Sequence, residues 1–275
     1  QRRTRAIEEV KDLVAGLGEV GPVLPHVEEL LALLTDLSDD PNFKIVLLTL
    51  ETLRELVLRL GHRLEPHLDA LFRLLMPKMG DNKVAARHHA MAAFSPLVQA
   101  LALAACARPL RRGLRSSSWR VREGCLKLLM VGLLAPLEAG EPPPAHVDPG
   151  QLCRDVGALL SDARSQVRVA AVEVLALVEH AWGGNVDVLT VLDEHQLLRP
   201  HENGGGIDHA RLLKARLAAL PAGLPHLTPD GMVELMPWPS SSSGYGRDGG
   251  VGGGGGGGRG FSGGEGVAVE GGGGS

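Results

Sequence analysis

The chain has 275 residues, a formal net charge of −4, 44% apolar residues and only 3% aromatic residues. That length allows one large domain or two ordinary ones, and the Leu-, Ala- and Val-dominated mix favours helices packed through aliphatic seams over a β-sandwich. The mild negative charge singles out neither a nucleic-acid nor a membrane partner.

Caps and apolar spacings of three and four place the helices in chain order. The first begins near Thr4 and runs through Ile7, Val10, Leu13 and Val14; a shorter one spans His26 to Thr35. Asp39-Asp40-Pro41 then provides an acid-and-proline start for a long helix carrying Val46, Leu50, Leu53, Val57 and Leu60 on one face. A short helix over His67 to Met79 leads to a long one after Gly80-Asp81-Asn82, and one over Ala102 to Leu114 leads to a long one after Ser116-Ser117-Ser118. The segment Pro149 to Leu160 precedes a long helix after Ser161-Asp162, and the helical part closes with Val188 to His195 and Ile207 to Leu220. Beyond Leu220 the sequence turns Pro-, Ser- and Gly-rich and ends in the run Gly252 to Gly258 and a GGGGS terminus. Residues 221–275 are therefore expected to be a disordered linker or tail after a domain of residues 1–220. The poly-Gly run lacks the preceding strand and following helix that a phosphate-binding loop needs.

The starts of the long helices resemble one another. DDPNFKIVLLTLETL, GDNKVAARHHAMAAF, SSSWRVREGCLKLL and SDARSQVRVAAVEVL each have a polar cap, a basic residue and an aliphatic run. Taken as equivalents, Lys44, Arg87, Arg122 and Arg168, with Arg5 as a first member, recur at roughly the 40-residue period of HEAT-type helix pairs. A helix pair cannot bury its apolar face alone, so about six stacked pairs predict an all-α solenoid with one continuous core. The turns within the pairs then fall on one edge. That edge collects Arg2, Arg3, Arg5, Lys44, Lys78, Lys83, Arg115, Arg120 and Arg168, while Glu8, Glu9, Glu19, Glu28, Glu29 and Glu51 lie mostly elsewhere. A basic ridge on a mildly acidic protein suits an acidic partner surface.

PNFKI, MGDNKVAAR, SSSWRVREGCLKLL and SDARSQVRVAAVEVL resemble the TOG domains of microtubule regulators, and most closely the first TOG domain of the CLASP family of plants and green algae. The resemblance covers residues 1–220. It implies a cytoplasmic, cytoskeletal domain of a longer multi-domain chain that meets tubulin or the microtubule lattice as a monomer. It also implies tubulin contact at Asn42, Phe43 and Lys44, at Asn82 and Lys83, at Trp119 and Arg120, and at Arg164, Ser165 and Gln166. The first turn lacks the tryptophan that several TOG domains carry there, and Ala85-Ala86 stands where a charged residue is common.

Several residues have two readings. Trp119 is either an edge anchor, as aromatic interface residues often are, or a cover for the start of its own helix. Arg87, Arg122 and Arg168 sit deeper in their helices and are expected to pair with Asp81, Glu123 and Asp162 or with carbonyls of the neighbouring repeat. Ser116 to Ser118 cap a helix, or take a phosphate that weakens the edge. Trp182, before Gly183-Gly184, is expected to plug a helix end. Adjacent His88 and His89 point apart, and His201, Glu202 and His209 lack the rigid spacing of a zinc site.

Cys106, Cys125 and Cys153 are widely spaced and odd in number, which fits buried, reduced cytosolic thiols and neither a disulfide framework nor a CxxC clip. No apolar run has the length of a membrane span; Met91 to Cys106 comes closest and is interrupted by Ser95, Pro96 and Gln99. The basic start without an initiator Met is expected of a piece of a longer chain. No nucleophile elbow, Walker loop, metal spacing or paired carboxylates mark a catalytic centre, so no catalytic, cofactor or metal residue is assigned and no enzyme is expected. The expected function is regulation of microtubule dynamics by tubulin binding. The alternative is a HEAT scaffold or adaptor that grips another protein through its concave face.

Overall fold

The computed structural model describes residues 2–198, 209–220 and 223–235, all within one compact unit that extends to Pro239. Among the described residues ten helices follow in order: α1 (Arg2–Ala15), α2 (Val27–Ser38), α3 (Phe43–Leu60), α4 (Leu68–Met79), α5 (Val84–Gly113), α6 (Trp119–Glu138), α7 (Pro149–Gly157), α8 (Ser165–Trp182), α9 (Val188–Glu194) and α10 (His209–Ala218). A two-residue hairpin, β1 (His226–Leu227) and β2 (Val233–Glu234), comes last. Short 3₁₀ turns at Gly21–His26, Gly61–His67 and Ala158–Ser161 connect helices.

Helix α5 is two helices in one. Ala102 takes φ 58° and ψ 158°, which breaks the helix where the sequence predicts a new one to begin. By length and composition α5 would reach across a membrane, unlike the expectation from the sequence, but it is interrupted at Ala102 and packs against α3, α4 and α6.

The helices form two layers. In the first, α1, α3, the first part of α5, α6, α8 and α10 each lie against the next. In the second, α2, α4, the second part of α5, α7 and α9 supply the shorter partners. Val46, Leu50, Leu53, Val57 and Leu60 of α3 are buried on the face predicted from their spacing, and Phe94, Leu97 and Val98 of α5 and Leu126, Leu129 and Val131 of α6 continue the core. Since each long helix touches only its neighbours, apolar burial accumulates repeat by repeat, as in a HEAT solenoid. Close approach of the layers needs a missing side chain at Gly132 of α6, where a Cβ would lie 2.8 Å from Leu103.

The far end is closed by a charged pair. Arg216 of α10 donates from Nε to both carboxylate oxygens of Glu173 in α8, at 2.9 and 3.0 Å, and from Nη2 at 2.9 Å to Glu173 and to the carbonyl of Gly223. Both side chains are almost fully buried, at 0% and 2% exposure. Described structure thus continues past residue 220. The Leu227 N–H donates to Glu138 of α6, and the hairpin packs on that helix. The Gly252 to Gly258 run and the rest of the expected tail beyond Leu235 lie outside the described residues, as do His201 and Glu202.

The three cysteines are buried and free. Burial pushes each thiol up to about 12, with Glu65 adding to the effect at Cys106 and Glu179 at Cys153. A thiol must ionise to react. In the folded protein none of the three should react with a maleimide at pH 7 on the timescale of minutes, and all three should react after denaturation in guanidinium, as mass spectrometry will count.

Candidate interaction edge

The four turns that lead into α3, α5, α6 and α8 are built by the same local bond. A side chain two residues before the helix cap accepts the cap residue's N–H: Asp40 from Asn42 at 2.8 Å, Asp81 from Lys83 at 2.7 Å, Ser116 from Ser118 at 3.2 Å and Asp162 from Arg164 at 2.9 Å. These are Asx- and Ser-type turns, in which a short polar side chain stands in for a backbone acceptor. The caps are therefore Asn42, Lys83, Ser118 and Arg164. The next residues are Phe43, Val84, Trp119 and Ser165, then Lys44, Ala85, Arg120 and Gln166.

This register corrects the sequence alignment. Lys44 is equivalent to Arg120, two positions ahead of Arg87, Arg122 and Arg168; the residue matching those three in the α3 repeat is Val46. The three arginines fold back on their own turns. Arg87 donates to the carbonyls of Asp81 and Asn82 at 2.8 and 2.9 Å, Arg122 to those of Ser116 and Ser117 at 2.7 and 3.1 Å, and Arg168 to that of Asp162 at 2.7 Å. The carbonyls belong to the same repeat, not to the neighbouring one. Only Arg122 also spans repeats, gripping the Asp162 carboxylate with Nε at 2.7 Å and Nη2 at 3.0 Å.

Burial alone would raise the Asp162 pKa. The hydrogen bonds from Arg122 and from the Arg164 N–H, with the charges of Arg122 and Arg168, outweigh it and hold the carboxyl below its ordinary value of 3.8. A carboxyl lowered in the fold supplies stability above its unfolded pKa and loses it as pH falls through the folded one. Asp162→Asn should therefore melt below the wild type at pH 7. That gap should shrink once the pH drops below about 4, since the unfolded carboxyl titrates there; calorimetric Tm against pH checks it.

Between turns, the expected contact residues touch one another. The Lys83 ammonium sits 3.7 Å from the centroid of the Phe43 ring, which joins the second turn to the third. Arg120 donates to Asn82 Oδ1 at 3.3 Å, joining the third to the fourth. Arg120 and Arg164 flank the Trp119 ring at 5.0 and 5.6 Å, joining the fourth to the fifth. Trp119 is half-buried against the core, as the second reading expects, and its ring forms the platform for two guanidinium groups. Ser165 and Gln166 bond to each other at 3.3 Å and, among the described residues, bond to no other turn.

The charges along the edge are not equivalent. Lys44 is neutralised by Glu8 of α1 at 3.0 Å, Arg5 pairs with Glu9 at 2.9 Å, and Arg3 meets Asp40. Lys78 is not on the ridge: it is buried at 8% exposure and donates to the Ser38 carbonyl at 2.7 Å and to Asp39 at 2.6 Å. Arg168 is half-buried and serves its turn, and Arg115 reaches Asp155 at 3.5 Å. Acids also stand at the turns, since Asp40, Asp81 and Asp162 accept the cap residues' N–H groups there. In the run of turns from Phe43 to Arg164, Lys83, Arg120 and Arg164 make no ion pair with a carboxylate among the described residues; exposed Arg2, at the start of α1, makes none either. No group of three or more His, Cys, Asp or Glu among the described residues is arranged to hold a metal.

No model of a known protein family matches the sequence. The chain is 32% identical over 250 residues to the TOG array regulator of axonemal microtubules protein 1 of Mus musculus; the match takes in 89% of this chain and 13% of that protein's length. Among solved structures it is similar to a crescerin TOG domain, with a TM-score of 0.68 and 28% identity over 87% of this chain and 94% of that one; crescerin uses a TOG domain array to regulate microtubules in the primary cilium. The MAST/Orbit N-terminal domain shares the fold, with a TM-score of 0.59 and 19% identity over 79% of this chain and 90% of that one. Stacked helix pairs, a repeated capped turn and this similarity together make the described helices a HEAT-repeat solenoid of the TOG type.

Proposed function

We propose that the domain binds tubulin, as free dimers or in the microtubule lattice, through the edge formed by its intra-repeat turns, and so regulates microtubule dynamics. The observation that carries this reading is the run of contacts from Phe43 to Arg164, which holds three cations without carboxylate partners in a row of successive turns. Partly exposed aromatic and Arg side chains held in place before binding lose little entropy on contact, and their positive field suits an acidic partner. The TOG array regulators and crescerin, named for microtubule regulation, make tubulin the partner of choice. The domain acts as a binding module rather than an enzyme, is located with microtubules, and contributes one module to a longer chain in which tethering raises the effective concentration.

The finer assignment, a first TOG domain of CLASP type, rests on the NFKI and WRVRE turns and is part of the same proposal. The scaffold alternative needs an open helix face. The hairpin lies against α6, on the long-helix layer, which favours the turns over that face. Co-sedimentation with microtubules and gel filtration with free tubulin, both at low salt, test the reading. Binding in either assay is expected, and binding in neither would sink it.

A further inference from the structure

We propose that a cleft between α4 and the second part of α5 is a binding site for an acidic peptide segment carrying one apolar side chain between carboxylates. The cleft has a volume of about 550 Å³, within the usual range for a ligand site. Its floor is apolar, from Phe72, Met76, Pro109 and Val121, and its rim carries Arg73, Arg108 and Arg112.

The rim arginines have no carboxylate partner. Arg108 and Arg112 are four residues apart and so share one face of the helix, an arrangement that disfavours the free helix when both are cationic. Arg111 and Arg115, on the adjacent face, both reach Asp155, whereas Arg73, Arg108 and Arg112 make no ion pair among the described residues. All three are exposed. Asp69 also lines the cleft, beside Arg73, and leaves the rim two positive charges in excess. Like charges crowded over an apolar floor, in excess of the one acid beside them, are the complement of a ligand with the opposite charge and an apolar anchor.

The cleft borders the fourth turn at Ser116, but none of Lys83, Trp119, Arg120 or Arg164 lines it. The proposal therefore stands independently of tubulin binding. The probe is a fluorescein-labelled peptide, Glu-Glu-Leu-Glu-Glu, titrated with the full chain at low salt and read by anisotropy. Binding is expected to weaken about tenfold or more in the R108E/R112E variant, which reverses two rim charges, and to stay unchanged in the edge variant K83E/R120E. A peptide with Gly for Leu should bind several-fold more weakly, and one with Gln for Glu should not bind. The inference is overturned if the acidic peptide does not bind, or if R108E/R112E binds it equally. Equal binding of the Leu and Gly peptides overturns it as well, because it reduces the cleft to plain attraction of anions. Circular dichroism of both variants, whose altered residues lie at the surface, confirms that the fold is intact.

Discussion

Glutamate at Lys83, Arg120 and Arg164 together is expected to weaken tubulin binding by at least about 100-fold, because interface charges facing a complementary surface are worth one or more kcal/mol each and their reversal adds repulsion. Lys83 and Arg164 are exposed and Arg120 is partly exposed, so the helical signal and Tm should change little. The single changes should fall in a definite order. Lys44→Glu should cost least, because Lys44 is already neutralised by Glu8 and its reversal acts largely within the domain. Trp119→Ala should cost about 2 kcal/mol or more of binding, typical of a central aromatic anchor, because it removes the platform under both Arg120 and Arg164. Microtubule co-sedimentation across a salt series measures this. If Lys44→Glu proves as damaging as Arg120→Glu, the ranking of the turns by free charge is wrong. If the triple variant binds like the wild type, the edge is not the interface.

The largest expected loss of stability lies at the other end of the molecule. Removing either member of the Glu173–Arg216 pair takes from the other, still buried, charge the partner it grips here, and breaking a buried pair costs about 3–5 kcal/mol in comparable sites. Arg216→Ala should also release the Gly223 carbonyl and loosen α10 from α8. The paired replacement Glu173→Leu with Arg216→Met should recover most of the loss, since an apolar pair of similar volume avoids the desolvation that an ion pair must overcome. Urea denaturation of the three variants tests this. A single variant losing under about 1 kcal/mol, the worth of an exposed pair, would show that the pair is not sealed from water.

The two results draw on features of unequal visibility in the sequence. The helices were legible: polar caps before aliphatic runs located α3, α5, α6 and α8 to within a few residues, because capping and apolar periodicity are local properties. The pairing of Arg216 with Glu173 was not, since both residues sit inside helical patterns some 40 residues apart with nothing local to mark them. The hairpin at 226–234 was hidden for another reason. Strands of two residues are too short to show alternation, and they sit in a stretch whose Pro and Gly content reads as linker.

The candidate edge divides in the same way. Residue types and the recurring turn point to Lys83 and Arg120, and the resemblance to TOG domains adds Phe43 and Trp119. The alignment nevertheless put Lys44 in register with Arg87, because a basic residue near a helix start looks alike two positions apart. The capping bonds of Asp40, Asp81, Ser116 and Asp162 set the true register. A lysine at a helix end is normally solvated, which puts Lys78 on the ridge by sequence; packing of α4 beside the end of α2 instead buries it against the Ser38 carbonyl, with its ammonium paired to the exposed Asp39.

By itself, then, the sequence determined the helices, their turns and their repetition, all of which follow from interactions within a few residues of the chain. Only the tertiary structure decided which edge cations keep a free charge, which aromatic ring each one meets, and which buried acid closes the last repeat. Those outcomes depend on side chains about one repeat apart in sequence, brought within hydrogen-bonding distance only when the helices stack.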